Sequence, residues 1–205
     1  MTTPGHERWH PAPEFYYQPG GGPLFDMGPY YLTALVVLLG PVRRVSGAAG
    51  ASQTRRTIGS GPRAGAIFPV EVKTHVAGTL EFADGAIVTL VMSFDVWSAH
   101  LPRFEIYGTR GSLSGPDPNG FGGPVGLFEA GGREWAEVRL RESGRPQTRG
   151  LGLADLVAGV AEGRPHRAGA ELGYHVLEIM SGLLESAETG HHVTLTSTCE
   201  RPDPV

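Results

Sequence analysis

Val70-Glu71-Val72-Lys73-Thr74-His75-Val76-Ala77-Gly78-Thr79-Leu80-Glu81-Phe82 is followed, through Ala83-Asp84-Gly85, by Ala86-Ile87-Val88-Thr89-Leu90-Val91-Met92-Ser93-Phe94-Asp95-Val96-Trp97. In the first run Val70, Val72, Thr74, Val76, Leu80 and Phe82 alternate with Glu71, Lys73, His75, Thr79 and Glu81, the period-two pattern of a strand with one buried face. The second run repeats it, with Ala86, Val88, Leu90, Met92, Phe94 and Val96 on one face. Asp84-Gly85 is a favoured hairpin turn, so the two runs predict an antiparallel pair. Ile87, Val91 and Trp97 fall on the other face, which therefore needs a cover, supplied by a second copy or by a loop of the same chain.

Working outward, further strands are predicted near Val42–Gln53, Arg103–Tyr107, Gly126–Glu129, Trp135–Leu140 and His192–Thr196, with loops at Gly59–Gly65, Ser114–Gly126 and Arg141–Gly150. Three helical segments accompany them. Tyr30–Leu39 is almost wholly apolar and stops at Gly40-Pro41. Leu153, Leu156, Val157 and Val160 form a second stripe, and Leu172, Val176, Ile179, Met180, Leu183 and Leu184 a third, ending at Gly163 and Gly190. The expected fold class is α+β: a large open, predominantly antiparallel sheet with helices packed on one face and the other face free for oligomerisation. The expectation is one domain over 1–205, with a lead-in at 1–19 and a tail at 197–205.

With 205 residues, 40% of them hydrophobic, the chain is long enough for one sizeable core. A net charge of -4 and scattered arginines give no basic face for nucleic acid or an anionic membrane. A single cysteine, Cys199, excludes an intramolecular disulfide framework and agrees with a reducing compartment. The N-terminus lacks the basic-then-apolar pattern of a secretory signal, and the longest apolar run is short for a bilayer span, so a cytoplasmic location is expected.

The chemistry is expected at Gly20-Gly21-Gly22-Pro23-Leu24-Phe25-Asp26-Met27-Gly28-Pro29-Tyr30, where a glycine run delivers an acid and a phenol to a helix. If the helix starts near Gly28 or Pro29, Asp26 lies just before its first turn, among free N–H groups that favour a carboxylate, and Tyr30 lies within that turn. The plainer alternative makes Asp26 a cap and Tyr30 a packed aromatic. Trp9, His10, Phe15, Tyr16 and Tyr17 lead directly into the glycines and suit a pocket wall that stacks on and hydrogen-bonds a polyol.

The glycine–aspartate stretch resembles the Gly-Gly-Gly-x-Leu/Phe-x-Asp-x-Gly-x-His/Tyr motif of the C-terminal domain of the Gfo/Idh/MocA oxidoreductase family. Pro102-Arg103-Phe104-Glu105-Ile106-Tyr107-Gly108-Thr109-Arg110-Gly111-Ser112-Leu113 is similar to that family's strand-turn-strand element. Leu151–Ala161, Gly163–Ala168, Glu171–Val176 and Ser186–Gly190 resemble its closing helices. In that family an N-terminal Rossmann domain binds NAD or NADP and carries a catalytic lysine, while the second domain supplies the pocket for a sugar-like substrate and a partner acid/base. The resemblance implies Asp26 and Tyr30 as catalytic positions, and Trp9, His10, Tyr16, Tyr17, Gly21, Gly22 and His175 at the substrate. It also implies a homo-oligomer formed through the sheet.

Only the second half of such an enzyme is legible here. No Gly-x-Gly-x-x-Gly turn exists, Gly120-Phe121-Gly122-Gly123-Pro124-Val125 lacks the last glycine, and the only lysine, Lys73, matches no family motif. No cofactor is therefore expected to be bound by this chain, with NAD or NADP implied for a full-length enzyme. Tyr30 departs from the more usual histidine, and a phenol titrating near 10 is a poor base, so substrate binding suits it better than proton transfer. Thr33 stands where many members carry a second aspartate. A stand-alone carbohydrate-binding or assembly module, and a fragment of a longer reading frame, remain alternatives.

His6-Glu7-Arg8-Trp9-His10 matches the zinc-protease pattern His-Glu-x-x-His. That pattern works on a helix, whereas Pro4, Pro11 and Pro13 predict extended chain, which spreads the two histidines by roughly 13 Å. His191 and His192 are adjacent and point to opposite faces of a strand, so no metal is expected.

Overall fold

The structure, a computed structural model, describes residues 1–139 and 149–203; the expectations for Leu140 and for 141–148 lie outside them. In chain order the elements are α1 (Gly22–Leu39), β1 (Val42–Gly50), β2 (Arg55–Thr57), β3 (Ile67–Pro69), β4 (His75–Phe82), β5 (Ile87–Ser93), β6 (Glu105–Gly108), β7 (Gly111–Ser114), β8 (Gly126–Glu129), β9 (Ala136–Glu137), α2 (Leu151–Glu162), α3 (Ala170–Thr189) and β10 (Val193–Thr194). They fall into two compact units, one of Met1–Ala99 with Gly169–Arg201 and one of His100–Ala168 with Pro202–Val205. The fold class is α+β. The strands divide among three antiparallel sheets, ordered β10-β1-β4-β5, β2-β3 and β6-β7-β8-β9, where the sequence suggested one large sheet.

In the first unit the predicted hairpin pairs Val76 with Met92, Gly78 with Leu90 and Leu80 with Val88. Val45, Val76, Leu80, Phe82, Leu90 and Met92 are buried on its inner face, against Leu32 and Val36 of α1 and Ile179 and Leu183 of α3. Each such side chain contributes on the order of 1.5–3 kcal/mol. Strand β4 begins at His75, five residues later than the alternation implied. Val70 donates its amide to Thr54 and Glu71 donates to Tyr17, so these two residues are tied to other segments, and the chain joins the ladder only near Thr74, whose amide donates to Gly50 at 2.9 Å and whose hydroxyl donates to Asp95 Oδ2 at 2.7 Å. A second cluster, Tyr17, Ile58, Phe68 and Phe94, packs beneath the lead-in segment.

Helix α1 starts at Gly22, nearly two turns before the expected point, with Pro23 at its second position and Pro29 absorbed into the interior. Asp26 is therefore no cap; it sits on the second turn. The longer helix is also just long and apolar enough to cross a bilayer, with 44% of it buried inside this fold. Its buried residues, among them Leu24, Leu32, Leu35 and Val36, face the core.

The outer face of the main sheet carries Ser46, Ala48, Ala77, Thr79, Thr89 and Val91 in register, with Ile87 exposed at its end. Trp97 lies past the end of β5, with the Arg8 guanidinium 4.2 Å above its ring. In the second unit β6 and β7 form a hairpin through Thr109-Arg110, β8 and β9 extend it, and the apolar stripe of α2 is exposed at Leu153, Leu156, Val157 and Val160.

Candidate functional site

Glycine is needed twice at the start of α1. Gly22 has a φ of +89°, and a side chain on Gly21 would meet the carbonyl oxygens of Phe15 and Tyr16 at 2.7 Å. The chain thus turns tightly from the short 3-10 segment Glu14–Tyr17 into the helix, setting Tyr16 beside the second helical turn. Asp26 and Tyr30, four residues apart, share one helical face there, Asp26 partly buried and Tyr30 42% exposed.

His6 completes the arrangement from the opposite end of the lead-in. Its Nε2 lies 2.8 Å from Asp26 Oδ2, and because a carboxylate only accepts, Nε2 is the protonated nitrogen. The imidazole is walled by rings: Tyr16 and Phe94 at 4.5 Å between centroids and Trp9 at 5.4 Å. His10 packs edge-on against Trp9, Phe15 and Tyr16, and its Nδ1 accepts the Ala12 amide, leaving Nε2–H as its donor. Burial, reinforced by the negative charge of Asp26, pushes the Tyr16 phenol above its ordinary range, so it remains a donor. The result is one carboxylate acceptor flanked by phenol and imidazole donors and by the exposed rings of Trp9 and Phe15.

Under this cluster lies a buried charge network. Arg56 reaches Glu7 Oε1 at 2.8 Å, the Phe94 carbonyl at 3.2 Å and Asp95, while the Tyr17 hydroxyl donates to Glu7 Oε2 and accepts the His6 amide at 3.2 Å. Burial and the hydrogen bond to Glu7 drive the Tyr17 phenol far upward, so it stays protonated.

Residues His6–Arg8 form a 3-10 turn, with the Trp9 amide donating to the His6 carbonyl at 3.2 Å, and not the extended chain the prolines suggested. The His-Glu-x-x-His side chains nonetheless diverge, to Asp26, Arg56 and Ala12 respectively. Among the described residues no three metal-binding side chains converge.

The structure thus brings Asp26, Tyr16, Trp9 and His10 together, with Tyr30 on the same helical face as Asp26, and separates the other expected residues from them. Tyr17 is fully buried, its hydroxyl spent on Glu7. His175 is fully buried as well, its Nε2 accepting the Val42 amide at 2.9 Å and its Nδ1 donating to Ser197 Oγ at 2.8 Å. Val42 lies past the far end of α1, about 20 Å along the helix from Asp26. Gly21 and Gly22 line a separate cleft of about 410 Å³ with Leu24, Phe25, Val76, Leu184 and Lys73, and neither Asp26 nor Tyr30 borders it. In the sequence His6 reads only as part of the His-Glu-x-x-His pattern. Its partner is twenty residues away, and only the glycine turn brings the two together.

A family profile described as the GFO/IDH/MocA C-terminal domain matches residues 1–114. Among solved structures, apo levoglucosan dehydrogenase is similar at 20% identity and a TM-score of 0.76, over 97% of this chain and 58% of that one. The same enzyme with NADH and L-sorbose aligns at 20% identity and TM-score 0.75, over 96% and 57%. Aldose-aldose oxidoreductase from Caulobacter crescentus with glycerol aligns at 22% and 0.68, over 95% and 53%. The chain thus spans little more than half the length of these proteins, and at such identities the likeness is one of fold. No curated protein sequence matches significantly.

Proposed function

The chain belongs to the Gfo/Idh/MocA family through its C-terminal domain, and from that premise we propose that it is the substrate-holding half of an NAD(P)-dependent sugar or cyclitol oxidoreductase, inactive in redox chemistry by itself. The observation that carries this reading is the cluster at the start of α1. A sugar hydroxyl both donates and accepts, and here an Asp26 carboxylate oxygen lies beside the Tyr16 phenol, with the Tyr30 phenol one turn along and the His10 N–H beyond Tyr16. Trp9 and Phe15 offer ring faces to the C–H side of a pyranose. The related enzymes were solved with levoglucosan, L-sorbose and glycerol, the ligand class proposed for this chain.

The residues present do not fit a dinucleotide. Every described strand pair is antiparallel, a single parallel bridge between Thr2 and Ser93 apart, whereas a Rossmann grip needs parallel strands joined through a glycine turn. NAD or NADP would be held by another domain, and hydride transfer requires its nicotinamide in near-contact with the bound sugar. This chain's own contribution is to bind and orient the hydroxyl-bearing carbon and to present Asp26 and Tyr30 to it. We place the protein in the cytoplasm, paired with a second copy through the outer sheet face, whose small residues Ser46, Ala48, Ala77 and Thr79 allow a flat, close approach.

Titration of the purified chain with levoglucosan, L-sorbose and glycerol, followed by amide NMR, tests the reading. Saturable shifts at Tyr16, Asp26 and Tyr30 are expected, with no change in NADH fluorescence. Saturable NADH binding, or indifference to all three polyols, would overturn it.

A further inference from the structure

We propose that His6 is the positioning residue of the Asp26 carboxylate: it fixes Oδ2 so that Oδ1 alone is presented to a substrate hydroxyl. This rests on the functional reading above and deepens it. No histidine occurs in α1, so the helix by itself supplies no imidazole at the site. The structure supplies one from the lead-in instead.

Four observations converge. First, the Nε2–Oδ2 separation of 2.8 Å is that of a charge-assisted hydrogen bond, made where the side chains are 12% and 24% exposed. Second, Asp26 Oδ1 takes no hydrogen bond among the described residues, so one oxygen is spent and the other is offered. Third, His6 Nδ1 is buried without a partner, a cost that the sequence could have avoided with an apolar residue. A buried orphan nitrogen is tolerated where its ring does something else, and here the other nitrogen holds the one carboxylate of the site. Fourth, the imidazole is itself held: its backbone amide donates to the Tyr17 hydroxyl, which is anchored on Glu7 and through it on Arg56. The rings of Tyr16, Trp9 and Phe94 close the remaining sides.

The consequence is directional. A free aspartate on a helix surface rotates about its two side-chain bonds and offers either oxygen. Pinned by His6, it offers a single acceptor, which selects a hydroxyl of one orientation on the ring of a polyol.

The test uses the folded chain with levoglucosan, L-sorbose and glycerol as probes. His6→Ala should weaken polyol binding about tenfold, the equivalent of one lost hydrogen bond to a charged group. His6→Gln, whose amide reaches a similar position and keeps an N–H donor, should restore binding to within about threefold. Nitrogen NMR of the wild-type imidazole should show the Nε2–H tautomer of His6, and Asp26→Asn should erase that preference. If Tyr30→Phe weakens binding while His6→Ala leaves it unchanged, the functional reading stands and the role of His6 is overturned. Failure of His6→Gln to restore affinity in a folded protein, or a wild-type Nδ1–H tautomer, also overturns it. If no polyol binds the wild type, the functional reading falls first, and the tautomer still reports whether the pair exists.

Discussion

The backbone amide of Gly47 on β1 donates to Ser186 Oγ on α3 at 2.9 Å, and the carbonyl oxygen of Leu183 lies 2.2 Å from where a Gly47 side chain would begin. Helix and sheet therefore touch backbone to backbone, with Gly78 beside them leaving room for the Leu183 side chain. Gly47→Ala should force α3 away from the sheet and cost about 1–3 kcal/mol, as overpacking does. Calorimetry should show the melting temperature lowered by about 2–4 °C per kcal/mol.

Glu7 and Arg56 are buried at 8% and 6% exposure, and Glu7→Gln leaves Arg56 with Asp95 as its one remaining carboxylate among the described residues. Glu7→Gln should destabilise by about 1–3 kcal/mol in urea denaturation. The double variant Glu7→Gln with Arg56→Met should cost less than the sum of the two single changes, since the Glu7–Arg56 contact can be lost only once.

Stability should fall with acidification in two stages. Burial holds His175 below its ordinary 6.5, against the opposing pull of Glu178. Burial pushes Glu178 up, but hydrogen bonds from Ser197 and Thr196 outweigh it and bring the carboxyl from 4.5 to about 2. Both folded values are depressed, so the unfolded chain takes up protons first. The stabilisation is complete above about pH 6.5, erodes below that as His175 must charge, and is lost further as pH drops from 4.5 toward 2. Denaturation curves between pH 3 and 8 should show both stages, and Glu178→Gln should flatten the lower one.

Tyr30→Phe removes one half-exposed hydroxyl and should weaken polyol affinity about two- to tenfold with little change in stability. Isothermal titration alongside a thermal melt separates the two effects. Tyr17→Phe should do the reverse, because its hydroxyl bridges Glu7 and the His6 amide inside the core.

The hairpin was legible because its inner face keeps strict period two from Val76 to Phe82 and from Val88 to Met92, with Asp84-Gly85 between them. The start of α1 was less so. Both Pro23 and Pro29 suit the first turn of a helix, and no local signal chooses the earlier one, on whose side Leu24 and Gly28 are buried. His6 and Asp26 lie twenty residues apart with no shared periodicity, so their meeting is a property of the glycine turn and of the Tyr17–Glu7–Arg56 anchor beneath it. His175 and Tyr17 are polar residues of types common in sites, and their complete burial came from tertiary contacts that no local pattern records.

Pro29 has no amide hydrogen, so the carbonyl of Phe25 receives no rung from it, and the ladder of α1 is interrupted one residue before Asp26. What holds the carboxylate-bearing turn across that gap is packing: Leu24 is 2% exposed, and Gly28 sits so close to α3 that a methyl there would meet the Met180 sulfur at 2.9 Å, so a larger residue at position 28 would lever the turn off its neighbour.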